Sequence, residues 1–258
     1  MLTPNTLKRR LERGETALGL FASIPTAVTV EMIGQAGFDF VILDTEHTLV
    51  NPETLEHMLR AAELAGITAL VRVRRPDPDV VVPLLDAGAR GIVLADVRGP
   101  EALAALSDSL RFQPLGWRSM NGGRPARFGA DDLVDYLRRA NDALMLVPMI
   151  EHREGVENLP AILRVPGVDM VLEGAADLSQ SLGLPWQTDA PAVREMLDRI
   201  HAECRRAEVP FCAIPRGTAR HDDWRERGVH AFVLGDERGI AFRALQAQLA
   251  TYREEASP

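Results

Sequence analysis

Lysine is almost missing from this chain. Among 258 residues there are 29 lysines and arginines together, and Lys8 is the only lysine. An enzyme that works through a Schiff base needs a lysine amine inside its pocket. Lys8 sits in the polar opening segment "MLTPNTLKRRLERGE", so amine-dependent aldol chemistry and a PLP cofactor are not expected. Cysteine is scarce too. Cys204 and Cys212 form no CxxC pair, a disulfide between them is unforced, and a reduced cytoplasmic protein is expected. No apolar run in the sequence approaches the roughly 18–20 residues that span a bilayer, and the opening segment lacks the apolar core of a signal peptide. Positive charge is in deficit, with a net charge of -8. Neither nucleic acid nor an anionic membrane is therefore an expected partner. No GxGxxG fingerprint is present, so no NAD site is expected.

What is present is alternation. Hydrophobic residues make up 46% of the chain, enough for a sizeable core. They fall in short runs separated by amphipathic stretches. The runs predict eight strands, at 17–24, 38–44, 68–74, 91–96, 144–151, 168–174, 210–216 and 231–236. Between them "NPETLEHMLRAAELAG" reads as a helix with an Asn cap, Pro at its first position and Gly66 at its end. "APAVREMLDRIHAECRRAE" and "GIAFRALQAQLATYREE" carry apolar residues at three- and four-residue spacing. Several strands follow a glycine, as in "AGFDFVIL", "AGITALVRV", "AGARGIVLA" and "RGVHAFVLG". Glycine there ends the preceding helix in a left-handed conformation. Eight such units in this length predict an α/β fold, a TIM (β/α)8 barrel forming one domain over 1–258. An open doubly wound sheet is the alternative. One connection, 111–130, is unusually long, and loops of that length are usually functional or disordered.

A TIM barrel carries its active site at the C-terminal ends of its strands. The second strand runs into "DTEH", giving Asp44, Glu46 and His47. The third carries Arg72 and Arg74, the fifth ends at Glu151, and the sixth leads into "EGAAD" with Glu173 and Asp177. Glu151 and Asp177 fall at the ends of neighbouring strands, which lie about 4.8 Å apart. Two carboxylates that close repel unless a cation separates them, and oxygen ligands suit Mg²⁺, Mn²⁺ or Ca²⁺. Ion pairs or helix caps are the competing roles, and "DLSQSLG" has the look of a cap. Arg72 stands on an otherwise apolar strand. It needs a partner, either a ligand carboxylate or a barrel acid such as Asp44 or Glu46. His47 is the leading general-base candidate of six histidines, ahead of His152; a capping role at the loop is its alternative.

The phrases "GFDFVILDTEH", "VRV", "LLDAGARGI", "PLGWRS", "MIEHREGVENL" and "GAADLSQSLG" resemble the HpcH/HpaI family of metal-dependent class II aldolases over nearly the whole chain. The resemblance implies a divalent cation (Mg²⁺ first, with Mn²⁺, Co²⁺ or Ca²⁺ as options) held by Glu151 and Asp177. It implies a 2-oxo acid substrate, pyruvate or oxaloacetate, with Arg72 steadying the enolate and His47 moving protons. Backbone N–H groups around Ala176 would receive the substrate carboxylate. The family also pairs its histidine, through water, with an aspartate matching Asp86. That residue precedes the fourth strand and belongs at the opposite end of its own barrel, so a neighbouring subunit or an irregular chain would have to supply it. Family members exchange their C-terminal helix between subunits, which implies a homo-oligomer, dimer or hexamer.

Some positions depart from the common aldolase pattern. "LADV" replaces "VPMV" after the fourth strand, and Met149 replaces the Gln of "QIE". "RSMNGGRPARFG", "EGAADLSQSLGLPWQT", "FCAIPR" and "VLGDERG" are similar to one branch, the siderophore-pathway citrate synthases of the staphyloferrin B type. These condense acetyl-CoA with oxaloacetate. On that resemblance Arg124, with Arg118 and Arg127, would meet the extra carboxylate of oxaloacetate or the CoA phosphates.

Overall fold

A computed structural model describes residue 2 and residues 4–254. Residues 1, 3 and 255–258 of the expected 1–258 domain lie outside the described residues. Eight parallel strands close into a barrel in chain order. They are β1 (Ala17–Ala22), β2 (Phe40–Asp44), β3 (Thr68–Val73), β4 (Gly91–Leu94), β5 (Met145–Ile150), β6 (Val171–Glu173), β7 (Phe211–Ala213) and β8 (Ala231–Asp236). Each predicted strand is found, shortened by up to three residues at an end. The open doubly wound sheet is excluded, because β1 pairs with both β2 and β8.

Helices fill the connections: α1 (Thr6–Glu12), α2 (Ala27–Gln35), α3 (Pro52–Ala65), α4 (Pro78–Ala87), α5 (Pro100–Leu110), α6 (Leu133–Ala143), α7 (Arg153–Glu157), α8 (Leu159–Ile162), α9 (Ala175–Ser181), α10 (Pro191–Arg206), α11 (Thr218–Glu226) and α12 (Glu237–Glu254). The predicted signals of α3 are all used. Asn51 accepts the Thr54 N–H at 2.8 Å, Pro52 opens the helix, and Gly66 closes it at φ 74°.

Period-two alternation splits the apolar residues into two layers. Phe40, Ile42, Leu70, Val147 and Met149 pack with one another in the barrel interior. Val41, Leu43 and Val71, the residues between them, pack outward against helix residues such as Leu55, Met58 and Leu59. Leu7 of α1 is fully buried in the interior cluster and stoppers the N-terminal end of the barrel. Beside it the Lys8 ammonium binds Asp169 at 2.7 Å. The one lysine is therefore a structural cation at the end remote from the C-terminal mouth.

The long 111–130 connection is folded rather than loose. Phe112 and Ala126 pack with Tyr136 of α6, and a 3₁₀ turn runs over Arg124–Gly129. Arg118 is 8% exposed, with its guanidinium 4.6 Å from the Phe112 ring centroid. Among the described residues no helix is long and apolar enough to cross a membrane.

Candidate active site

The interior alternation that buries Phe40 and Ile42 brings Asp44 to the mouth on the same face, and Leu70 does the same for Arg72. The two are register partners across β2 and β3. Arg72 grips Asp44 with both arms of its fork, Nε donating to Oδ1 at 3.0 Å and Nη2 lying 2.8 Å from Oδ2. The guanidinium also stands 4.6 Å from the Phe21 ring centroid. Both side chains are under a tenth exposed, so the charges need this bidentate pairing. Burial alone would raise the Asp44 carboxyl. The hydrogen bond and charge of Arg72, with the N–H groups of Glu46 and His47, hold it below its usual value.

Glu46 follows on the same loop, its side chain 4% exposed. Its Oε1 accepts from Arg74 at 3.0 Å. Its Oε2 lies 3.5 Å from Arg72 Nε and 3.8 Å from His47 Nε2, yet accepts no hydrogen bond among the described residues. His47 itself is at the rim with its side chain 58% exposed.

Glu151, next on the interior parity after Met149, is 5% exposed. Its Oε1 accepts the Asp96 N–H at 2.7 Å. Burial, reinforced by the Glu46 and Asp177 carboxylates, pushes its own carboxyl up to about 7 against the pull of that N–H and of Arg72. Asp177 is exposed in the first turn of α9, with Ala176 half-buried before it. The helix-cap role is not realised: Gly174 holds the cap position and makes no side-chain bond.

The structure thus brings Arg72, His47, Glu151, Asp177 and Ala176 to one mouth. Asp86 and Arg124 are not among them. Asp86 lies near the end of α4, at the N-terminal end of the barrel, where Arg118 Nη2 reaches it at 2.5 Å and Asn121 at 2.9 Å. Arg124 binds Glu63 near the end of α3 at 2.7 Å, and Arg127 pairs with Asp131. A residue just before a strand is carried to the bottom of the barrel, and the 111–130 connection folds there with them. Glu173 differs from the sequence picture as well. It points outward from β6, and burial pushes its carboxyl up to about 7, opposed by the Ile214 N–H and the Arg216 charge.

Three mouth residues escaped the candidate set. Glu46 was placed at the end of the second strand and as a possible partner for Arg72, but was given no part in the chemistry. Asp96, at φ 50° after β4, lends Glu151 its N–H, and "LAD" at a strand end was its signal. Glu237, at the start of α12, accepts the N–H groups of Ser23 and Ile24, a long-range tie with no local signature.

The donor set fits a hard divalent cation. Among the described residues no three His, Cys, Asp or Glu side chains gather at metal-binding distance. Glu151, however, is a buried carboxylate whose charged form the Asp177 and Glu46 carboxylates disfavour, beside a Glu46 oxygen that accepts no hydrogen bond among the described residues. Two carboxylates completed by waters and a chelating substrate is the usual shell of Mg²⁺.

A closed barrel with carboxylates and an arginine buried at its C-terminal mouth is the architecture of a TIM-barrel enzyme. Residues 17–244 match the family described as HpcH/HpaI aldolase/citrate lyase, and the chain belongs to that family. It is 41% identical to the solved citrate synthase SbnG, covering 97% of this chain and 98% of that one with a TM-score of 0.90. A 2-keto-3-deoxy-L-rhamnonate aldolase of Klebsiella pneumoniae is 30% identical, over 99% of this chain and 96% of the relative. A hydroxypyruvate/pyruvate aldolase of Sagittula stellata is 32% identical over 83% and 85%.

Proposed function

We propose that the protein is a divalent-cation-dependent enzyme acting at the keto group of a 2-oxo acid, and that its reaction is citrate formation from oxaloacetate and acetyl-CoA. The observation behind the first part is the Glu151 carboxyl, 5% exposed at the barrel mouth, with Asp177 on the next turn and a buried Glu46 oxygen that accepts no hydrogen bond among the described residues. Behind the second is the 41% identity to a citrate synthase, against 30% and 32% to the aldolases.

Glu151 and Asp177 would hold the cation, Mg²⁺ in this reading, which would supply Lewis-acid polarisation of the keto group. Arg72, locked by Asp44, offers a fixed guanidinium to a substrate carboxylate or to an oxygen gaining negative charge. Backbone N–H groups at Ala176 and Asp177 receive the other carboxylate oxygens. His47, exposed at the rim beside Glu46, takes a proton from the acetyl methyl group. That carbon then bonds to the keto carbon while the keto oxygen takes up the proton to become the hydroxyl, and water hydrolyses the thioester to give the carboxylic acid and CoA as the thiol. Asp86 and Arg124 enter this scheme only by way of a neighbouring subunit. An assembly is in keeping with α12, whose Phe242, Leu245 and Tyr252 are each at least 60% exposed. We place the citrate in cytoplasmic siderophore synthesis on the strength of the branch similarity, and flanking siderophore-synthetase genes would be the matching observation.

The test is incubation with oxaloacetate, acetyl-CoA and Mg²⁺ while free thiol and citrate are measured. Equal amounts of both are expected. No citrate above a Glu151→Ala control sinks the reading. The aldolase relatives favour a second reading, a pyruvate-dependent aldolase of the 2,4-dihydroxyhept-2-enedioate type. Pyruvate release from 4-hydroxy-2-oxo acids, with no thiol from acetyl-CoA, would select it.

A further inference from the structure

A carboxyl group stands where the barrel wall calls for an apolar side chain. Leu172 of β6 faces the interior cluster and Val171 the layer beneath the helices. Glu173 shares the outward parity of Val171 and is 1% exposed. It adjoins a space of about 20 Å³ lined also by Leu197 of α10, Trp224 of α11 and the charged Asp189, Arg216 and Arg220, room for about one water.

Both carboxyl oxygens serve backbone donors. Oε2 accepts the Ala175 N–H at 3.2 Å and Oε1 the Ile214 N–H at 2.8 Å. The first is the opening N–H of α9, the helix that carries Ala176 and Asp177. Its cap residue, Gly174, brings no side-chain acceptor to this turn. The second belongs to the loop after β7. One buried carboxyl therefore ties the β6–α9 turn to the next strand's loop. Gly174 gives this tie its consequence. A Cβ at Gly174 would lie 2.5 Å from Glu151 Cβ and 2.7 Å from Glu151 Oε2. The turn's backbone rests against the Glu151 side chain, so a slip of the turn would shift Asp177 relative to Glu151.

We propose that Glu173 is a positioning residue that fixes the Gly174–Asp177 turn, and with it the spacing of Asp177 and Glu151, from outside the barrel. This rests on the reading that those two carboxylates share a cation. A leucine would fill the volume but leave two buried N–H groups without acceptors, a loss that loosens the turn.

Glu173→Gln keeps the volume and one acceptor; Glu173→Leu keeps neither acceptor. Each variant is measured two ways, by amide hydrogen exchange and by Mn²⁺ binding followed by electron paramagnetic resonance without substrate. We expect exchange at least tenfold faster in peptides covering 172–180 and 211–217 and nowhere else. Mn²⁺ should bind at least tenfold more weakly to the leucine variant, with a smaller loss for glutamine. Unchanged exchange in both peptides overturns the proposal, and so does faster exchange spread over the whole chain, which marks general destabilisation. Unchanged Mn²⁺ affinity, where Glu151→Ala has lost binding, also overturns it while leaving the cation reading standing. If the wild-type protein binds no Mn²⁺, the cation reading fails, and the exchange pattern alone decides whether Glu173 holds the turn.

Discussion

The buried Glu173 carboxyl gives the fold a pH dependence whose size follows from its surroundings. Its pKa rises from an ordinary 4.5 to about 7 because burial disfavours the charged form. Between those values the folded chain binds more protons at this site than the unfolded chain, so stability falls as pH rises. The contribution is full below the unfolded value and is lost as pH passes the folded one. At 1.36 kcal/mol per pH unit, the loss between pH 5 and pH 8 is about 2.5 kcal/mol. Glu151, also raised to about 7, adds a slope of the same sign, and His201, lowered by burial and by Arg227, adds one of the opposite sign. Comparison with Glu173→Gln removes both. Urea unfolding of the two proteins at pH 5, 6, 7 and 8, at one protein concentration, gives the stability difference at each pH. The wild type should lose about 2.5 kcal/mol relative to the glutamine variant across that range. A difference that stays flat to within roughly 0.5 kcal/mol would refute the argument, because it would mean that Glu173 titrates alike in both states.

Other perturbations bear on the mouth and on assembly. Asp44→Asn breaks the bidentate grip and leaves Arg72 buried without its partner, which should cost about 3–5 kcal/mol in an unfolding experiment; a loss under roughly 1 kcal/mol would show that Glu46 suffices. Arg72→Lys keeps the charge but not the fork, and turnover in the thiol assay should fall about 10²-fold or more. His47→Ala should lower turnover about 10²–10⁴-fold, and an unchanged rate removes His47 from the mechanism. Replacing Leu245 and Leu249 of α12 together with Glu should shift the mass seen by light scattering toward the monomer; an unaltered mass means that this face does not join subunits.

The fold was legible because its signals are local. Glycine before a strand, the Asn51–Pro52 opening of α3 and short apolar runs each report a few neighbouring residues, and eight repetitions leave little but a barrel. The mouth was legible where parity carried it, since residues two beyond Ile42, Leu70 and Met149 had to face inward at the strand ends. Strand ends were harder. The carboxyl at 173 looked like a mouth residue until β6 proved to end there, one position out of phase with the interior. Asp86 and Arg124 illustrate a different limit. Motif similarity marks both; topology had already set Asp86 at the far end, where Arg118 engages it, but nothing local showed that the 111–130 connection folds there too and brings Arg124 to Glu63. Glu237 was invisible because its bonds to Ser23 and Ile24 join the two ends of the chain.

Citrate formation under metal control tests the central claim most directly. The protein is stripped with chelator, supplied with oxaloacetate and acetyl-CoA, and titrated with Mg²⁺ while citrate is quantified by mass spectrometry. Citrate should appear only as the cation is restored, rise to saturation, and stay absent in Glu151→Ala and Asp177→Ala at every concentration. Citrate made at full rate by the stripped protein, or by either variant, would contradict the account.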